Sequence, residues 1–407
     1  MDYTTFISGI ELPNDPQAID AHSLYAAFEQ VIDGRKKRGK RYSLPLLLTL
    51  LLLARLAGET EIKAAAEWVR HRKEWICEQL PLTRKTVPCA GTYLYAFNKI
   101  EPQQLTKVVA DYLTKVEASK RCEEEPSRFC NQDGRQQRQH LALDGKTLRG
   151  TLKHLSPNQS SVHLLSLYEV KTGIVLAQRA MAEKENEITA VKDFLVPFYV
   201  KGRVITADAI QTQKTFCQRV NQYAGKYILY FKDNHPTAHE DLAFFFEDPD
   251  ADRSTWKTSS TTEKGHGRLS TRRVTTSTEM RDWFANEWTG IEQVFRIERT
   301  VIKKGKTSHE VVYGLTNLSP DEAGPTEIGA FIRAHWAIEN RLHWRRDVTL
   351  NEDHSQVRVQ SKPQVLAVLN NTLLALLDWL GVSNVPEQMR LYAARPHLAL
   401  ALLLSKL

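Results

Sequence analysis

The chain has 407 residues, 42% of them apolar and 25% charged. That apolar share excludes wholesale disorder, and the length sets an expectation of two or three domains. Lys plus Arg number 55 against 48 Asp plus Glu, a net charge of +7, which fits a polyanionic partner without requiring one.

The opening residues MDYTTFISGIELPNDPQ hold acids and no long apolar run, so no signal peptide is expected. Residues 1–117 read as a helical N-terminal domain. Its greasiest stretch, Leu44 to Leu56, is 13 residues long and contains Arg55. It is too short to span a bilayer and is expected to be a buried core helix. Just before it, Arg35, Lys36, Lys37, Arg38, Lys40 and Arg41 crowd around Gly39. Such a run is either a solvated charge cluster or an arm that contacts phosphates. Residues 118–139 are polar and aperiodic and read as a linker.

Beyond the linker the pattern turns to strands. His140–Asp144 forms one, Val162–Val170 and Gly173–Met181 form a hairpin, and Arg203–Asp208 and Lys226–Lys232 form two more. Helices are expected at 187–200 and 211–223. The order β-β-β-α-β-α-β over 140–235 predicts an α/β fold, one mixed sheet flanked by helices, with the layout of the ribonuclease H-like fold. Residues 236–318 alternate in the manner of antiparallel strands and read as a β-rich insertion. Residues 319–407 read as a long helix after Pro325 followed by an apolar core helix, VLAVLNNTLLALLDWLG.

Three acids stand out. Asp144 follows the apolar strand LAL and Asp208 follows VITA. Both sit at the carboxyl end of a strand, where open α/β sheets bind ligands. An acid there needs a cap, a partner or a metal, and Asp208 alone could simply cap a helix. Glu339 lies mid-helix. At 3.6 residues per turn His335, Glu339 and Arg346 share a face, with Trp336, Asn340, His343 and Asp347 on the neighbouring stripe. An ion-paired surface helix, with Glu339 bonded to Arg333, Arg341 or Arg346, is the plain alternative, and Asp347, Glu352 and Asp353 are rival third acids. Three converging carboxylates repel one another unless divalent cations sit between them. Mg²⁺ or Mn²⁺ prefers such oxygen ligands. Two ions about 3.5–4 Å apart can activate a nucleophile on one side of a phosphodiester and stabilise the leaving oxygen on the other.

The segments LALDGKTLRGT (141–151), ITADAIQTQK (205–214), YILYFKDNHPT (227–237), EKGHGRLSTRR (263–273) and HWAIENRLHWRRDVTLNED (335–353) resemble the H-repeat-associated transposases of bacterial insertion sequences. The Leu-rich stretch with RGKRYS ahead of it resembles their N-terminal helical domain. The resemblance covers nearly the whole chain, with five motifs in family order. It implies a DDE transposase with a ribonuclease H-like core, catalytic and metal-binding Asp144, Asp208 and Glu339, and two bound Mg²⁺ or Mn²⁺ ions. Related transposases with a Tyr-Arg-Glu-Lys signature would place Tyr, Arg and Lys where this chain has Ile332, His335 and Arg346.

The expected chemistry is cleavage of double-stranded DNA at the element's ends and transfer of the freed 3′-hydroxyl into target DNA. Candidate DNA contacts are Arg35, Lys36, Lys37, Arg38, Lys40, Lys146, Arg149, Lys232, His266, Arg268, Arg272, His335 and Arg346, with Trp336 and Trp344 able to stack on an unpaired base or pack in the core. A homodimer on DNA is expected. The five cysteines are odd in number and form no C-x-x-C pair, which fits a reducing compartment; the resemblance implies the bacterial cytoplasm, at the nucleoid. The alternatives are an inactive, domesticated DNA-binding protein and a nuclease limited to hydrolysis.

Overall fold

The computed structural model describes residues 19–407 except 39, 81, 83–84, 124–137, 152–160, 182–186, 210–211, 233–234 and 266. The Leu-rich run folds as the helix Leu44–Leu56. The Ser43 hydroxyl accepts from the Leu46 N–H at 3.4 Å, and Pro45 stands in the first turn, where a missing N–H leaves no bond unmade. Every other residue of this helix is buried, Arg55 included. The Arg55 guanidinium donates to the Thr60 carbonyl at 2.8 Å. Burial pulls its pKa down to about 10 against the opposing field of Glu352. No helix among the described residues is long and apolar enough to cross a membrane.

The N-terminal helices pack against the chain's far end. The Asp20 N–H donates to the Leu404 carbonyl at 3.0 Å, and Lys120 Nζ donates to the Trp379 carbonyl at 2.9 Å. One apolar core takes in side chains from Leu24 to Leu404. The helix Pro102–Glu123 runs into the segment read as linker, most of which lies outside the described residues.

Nine strands make one sheet: β1 (His140–Thr147), β2 (His163–Glu169), β3 (Val175–Ala180), β4 (Val204–Ala207), β5 (Lys226–Phe231), β6 (Lys257–Gly265), β7 (Arg268–Ser277), β8 (Gln293–Lys303) and β9 (Lys306–Thr316). Their order is β3-β2-β1-β4-β5-β9-β8-β7-β6. Strands β1, β2 and β3 pair antiparallel, whereas β4 and β5 extend the sheet from β1 in parallel. The expected mixed α/β sheet is therefore present. The β-rich segment does not form its own layer. It joins through an antiparallel β5–β9 ladder, Ile228 on Thr316 to Phe231 on Tyr313.

Two helix expectations change. Residues 187–200 form short turns, because Pro197 holds Val196 in extended backbone (φ −119°, ψ 154°) and breaks the run. The long C-terminal helix is α-helical only over Pro325–His335 and then widens into π-helical turns at Ile338–His343 and Arg345–Thr349. The Trp344 N–H reaches back five residues to the Glu339 carbonyl, and the Leu350 N–H reaches the Arg345 carbonyl at 3.0 Å.

Candidate active site

The β1–β4 ladder pairs Leu143 with Ala207. One residue further on, Asp208 follows the end of β4, whereas Asp144, expected at a strand end, lies inside β1 opposite Ser166, because the antiparallel ladder with β2 carries the strand on to Thr147; neighbouring strands lie roughly 4.8 Å apart. Side chains alternate along β1, so Asp144 shares a face with His140, Ala142 and Lys146. The helix Pro325–His335 covers that face. His140 Nε2 lies 2.7 Å from Thr206 Oγ1, which lies 2.9 Å from His335 Nδ1, a buried chain joining both strands to the helix. Burial, with His335 alongside, pulls His140 down to about 3. Burial also lowers His335, against the pull of Asp144, Asp208 and Glu339. All three acids thus act on one imidazole, but the close donor group takes in Asp144 and Glu339 with His343 and leaves Asp208 out. Burial, then Asp208 and Asp144, push the Tyr230 phenol up.

The π turn carries Glu339 over the strand ends. Glu339 Oε2 lies 3.8 Å and Asp144 Oδ2 3.3 Å from His343 Nδ1. One donor atom from each of these three residues falls within 4.8 Å of the others, a group that could hold a metal ion. Asp144 Oδ2 is buried and makes no hydrogen bond. With His343 Nδ1 3.3 Å away but no aligned hydrogen bond, this buried oxygen can still meet a cation, so the donor set fits a divalent ion. The His343 contact, foremost, holds the Glu339 carboxyl below its ordinary value. Burial pulls His343 down, but Asp144 and Glu339 outweigh it and its pKa is raised. His343 was legible only as one member of a stripe beside Glu339; the signal for it was the i,i+4 spacing in ENRLH.

A second carboxylate clamps this segment. Asp378 accepts from Arg345 Nη1 at 2.7 Å and pairs with Arg341 Nη2 at 2.9 Å, and Arg341 Nη1 also donates to the Val170 carbonyl at 2.8 Å. The two arginines bracket His343 in sequence. Gly173 makes room for the clamp: its φ is +80°, and an added Cβ would sit 2.5 Å from Asp378 Oδ2. Gly173→Ala is therefore expected to destabilise by about 2–3 kcal/mol, some of it backbone strain and the rest displacement of Asp378. Gly202 is the control, with φ +73° and nothing within 4 Å; Gly202→Ala carries the strain alone, about 1–2 kcal/mol. Equal losses in thermal denaturation would remove the crowding from the account.

The candidate phosphate contacts divide. Lys36, Lys37, Arg38, Lys40, Arg149, Lys232 and Arg268 are exposed, and Arg272 is half-buried. His266 lies outside the described residues. Four residues are corrected from surface to interior. Arg35 is buried, with its Nε and Nη2 on Asp33 at 2.9 and 2.8 Å and Nη2 on the Tyr42 carbonyl. Lys146 is buried against both Asp347 oxygens at 2.5 and 2.6 Å. His335 is held in the chain above. Arg346 is fully enclosed, paired with Glu352 at 2.7 Å. Trp336 and Trp344, by contrast, are exposed. Two further arginines lie beside Arg272: Arg299, opposite it in the β7–β8 ladder and paired with Glu310 at 3.7 Å, and Arg333, paired with Glu263; burial, then Arg299 and Arg333, lower the Arg272 pKa against Glu263 and Glu310. Facing like charges destabilise a bare sheet.

Residues 135–376 match the family model described as Transposase DDE domain, and residues 25–113 match DDE_Tnp_1-associated. The chain belongs to the DDE-domain transposase family. It is 31% identical over 286 residues to an uncharacterized protein in the dhlA 3′ region of Xanthobacter autotrophicus, covering 70% of this chain and 90% of that one. It is 28% identical to YncI of Escherichia coli O157:H7, covering 85% of each chain. It is also 28% identical to the H repeat-associated YhhI of E. coli K12, covering 58% of this chain and 63% of the other.

Proposed function

We propose that the chain cuts double-stranded DNA at the ends of an insertion sequence and joins the freed 3′-hydroxyl to target DNA. The observation that supports this reading is the close donor group of Asp144, Glu339 and His343, with Asp208 at the end of the strand beside Asp144. The core order β3-β2-β1-β4-β5, three antiparallel strands with two parallel additions, supports a ribonuclease H-like reading.

In this reading Asp144, Asp208 and Glu339 would hold two Mg²⁺ or Mn²⁺ ions. When bound, the ions supply the positive charge that activates a nucleophile and steadies the leaving oxygen. The protein's own groups do the rest. Asp347 engages the Lys146 ammonium and keeps that charge two residues from Asp144 without letting it collapse onto the acid. The His140–Thr206–His335 chain fixes the covering helix over both strand ends. Arg268, Arg272, Arg299 and Arg333 offer a cationic face for the phosphate backbone. Residues 1–117 serve as a DNA-binding domain, 118–139 as linker, and 236–318 as an insertion within the catalytic domain 140–407. The working form is a dimer on DNA in the cytoplasm, at the nucleoid.

The test separates cleavage from joining. Incubated with Mg²⁺ and DNA ending in the element's 3′-hydroxyl, the protein is expected to yield strand-transfer products. Cleavage of intact ends without joining would make it a hydrolytic nuclease, and binding with neither reaction would make it a DNA-binding derivative.

A further inference from the structure

We propose that His343 supplies a nitrogen ligand, through Nδ1, to a divalent cation held between Asp144 and Glu339, so that this position is a mixed nitrogen–oxygen site and not a purely carboxylate one. The inference rests on the reading above only in assigning a cation to this face.

The geometry carries it. In six-coordination with bonds of about 2.1 Å, adjacent ligand atoms lie about 3 Å apart and opposite ones about 4.2 Å. His343 Nδ1 lies 3.3 Å from Asp144 Oδ2 and 3.8 Å from Glu339 Oε2, between those two limits. The Asp144 oxygen is buried and makes no hydrogen bond, although the imidazole nitrogen is so near. Donor and acceptor thus approach without aligning on each other, as groups do when each is aimed at a third point. His343 has little freedom to turn away, since its side chain is 5% exposed. The arginines two residues to either side are tied to Asp378. π-Helical turns of this kind recur at functional sites because the widened turn re-aims its side chains.

A nitrogen donor changes which ion the site prefers. Imidazole suits transition ions, whereas Mg²⁺ and Ca²⁺ favour oxygen. Mn²⁺ is therefore expected to bind more tightly than Mg²⁺, and His343→Gln, which keeps the volume and loses the nitrogen, to weaken Mn²⁺ binding roughly tenfold while changing Mg²⁺ binding less.

The deciding measurement is pulsed electron paramagnetic resonance of the full chain loaded with Mn²⁺ alone. Wild type is expected to show ¹⁴N coupling from one imidazole, converted to the ¹⁵N pattern by histidine labelling. His343→Gln is expected to lose it and His335→Asn to retain it. Circular dichroism confirms that each variant is folded. Should His343→Gln unfold, the label pattern in wild type combined with retention in His335→Asn and His140→Asn still bears on the assignment. The proposal is overturned by Mn²⁺ that binds with oxygen ligands only, by coupling that survives His343→Gln, or by the absence of Mn²⁺ binding. The proposed function fails separately: strand transfer absent from wild type would sink it, whatever the coordination of the ion.

Discussion

Asp144→Asn is expected to lower the rate of DNA nicking by about 10³-fold or more, roughly 4 kcal/mol of transition-state stabilisation, while the protein stays folded. Asp144 stands among Asp208, Glu339 and His343, and its Oδ2 is buried without a hydrogen bond. Neutralising it removes repulsion from the neighbouring acids and attraction from His343 together, so the melting temperature of the ion-free protein is expected to change little. Asp208→Ala should match it in activity, because the β1–β4 ladder sets the two acids side by side. Nicking of supercoiled plasmid with Mg²⁺, read beside thermal denaturation, checks both. Undiminished nicking by either variant would remove that acid from the site, and loss of activity with loss of fold would make its role structural.

Arg346→Met should act in the opposite sense, on stability first. The guanidinium is wholly enclosed, donating to Glu352 from Nε at 2.9 Å and to Asn371 from Nη1 at 3.2 Å. Asn371 passes the network on to Gln178, and Asn370 donates to the other Glu352 oxygen. Removing Arg346 leaves a buried carboxylate with too little opposing charge, a loss of about 3–5 kcal/mol. Urea denaturation followed across pH gives a second signature. Burial pushes Glu352 up, but Arg346, Lys146 and Asn370 outweigh it and the folded-state pKa lies below the ordinary 4.5. In wild type this pair therefore adds stability above the unfolded pKa, and that contribution fades as pH falls through the lower, folded value. In the variant burial is less opposed and the folded pKa rises. The penalty is then greatest at neutral pH and shrinks on acidification. A deficit that does not narrow between pH 7 and pH 4 would refute the account.

Much of this site was legible in the sequence because it sits where local pattern is strongest. LALD and VITAD are apolar runs ending in an acid, and any parallel pairing of two such strands brings the acids together. Glu339 needed more, because nothing local distinguishes it from Asp347 or Glu352. The fold separates them by partner: Asp347 is taken by Lys146 and Glu352 by Arg346. His343 was seen only as a neighbour because its i,i+4 spacing from Glu339 puts two side chains on one face of a helix without showing that Asp144 meets them there. Arg35, Lys146 and Arg346 were misread for a single reason. A basic residue's pattern looks the same whether it faces water or a buried acid, and the partners of Lys146 lie some 200 positions away. The merging of β9 with β5 was equally hidden, since such a pairing depends on backbone groups far apart in the chain.

The ladder from β3 to β6 has a mechanical corollary. It is hydrogen-bonded from strand to strand, with no unpaired step between the strands bearing the aspartates and the hairpin ending at Lys303–Lys306. The outer strands β6 to β9 are tied to the core strands through the four pairs of the β5–β9 ladder, so any swing of that half must strain those bonds. Where a duplex laid across the arginines must also enter the acidic face, the bending then falls to the nucleic acid, and sequences that kink cheaply should be the easier ones to accommodate.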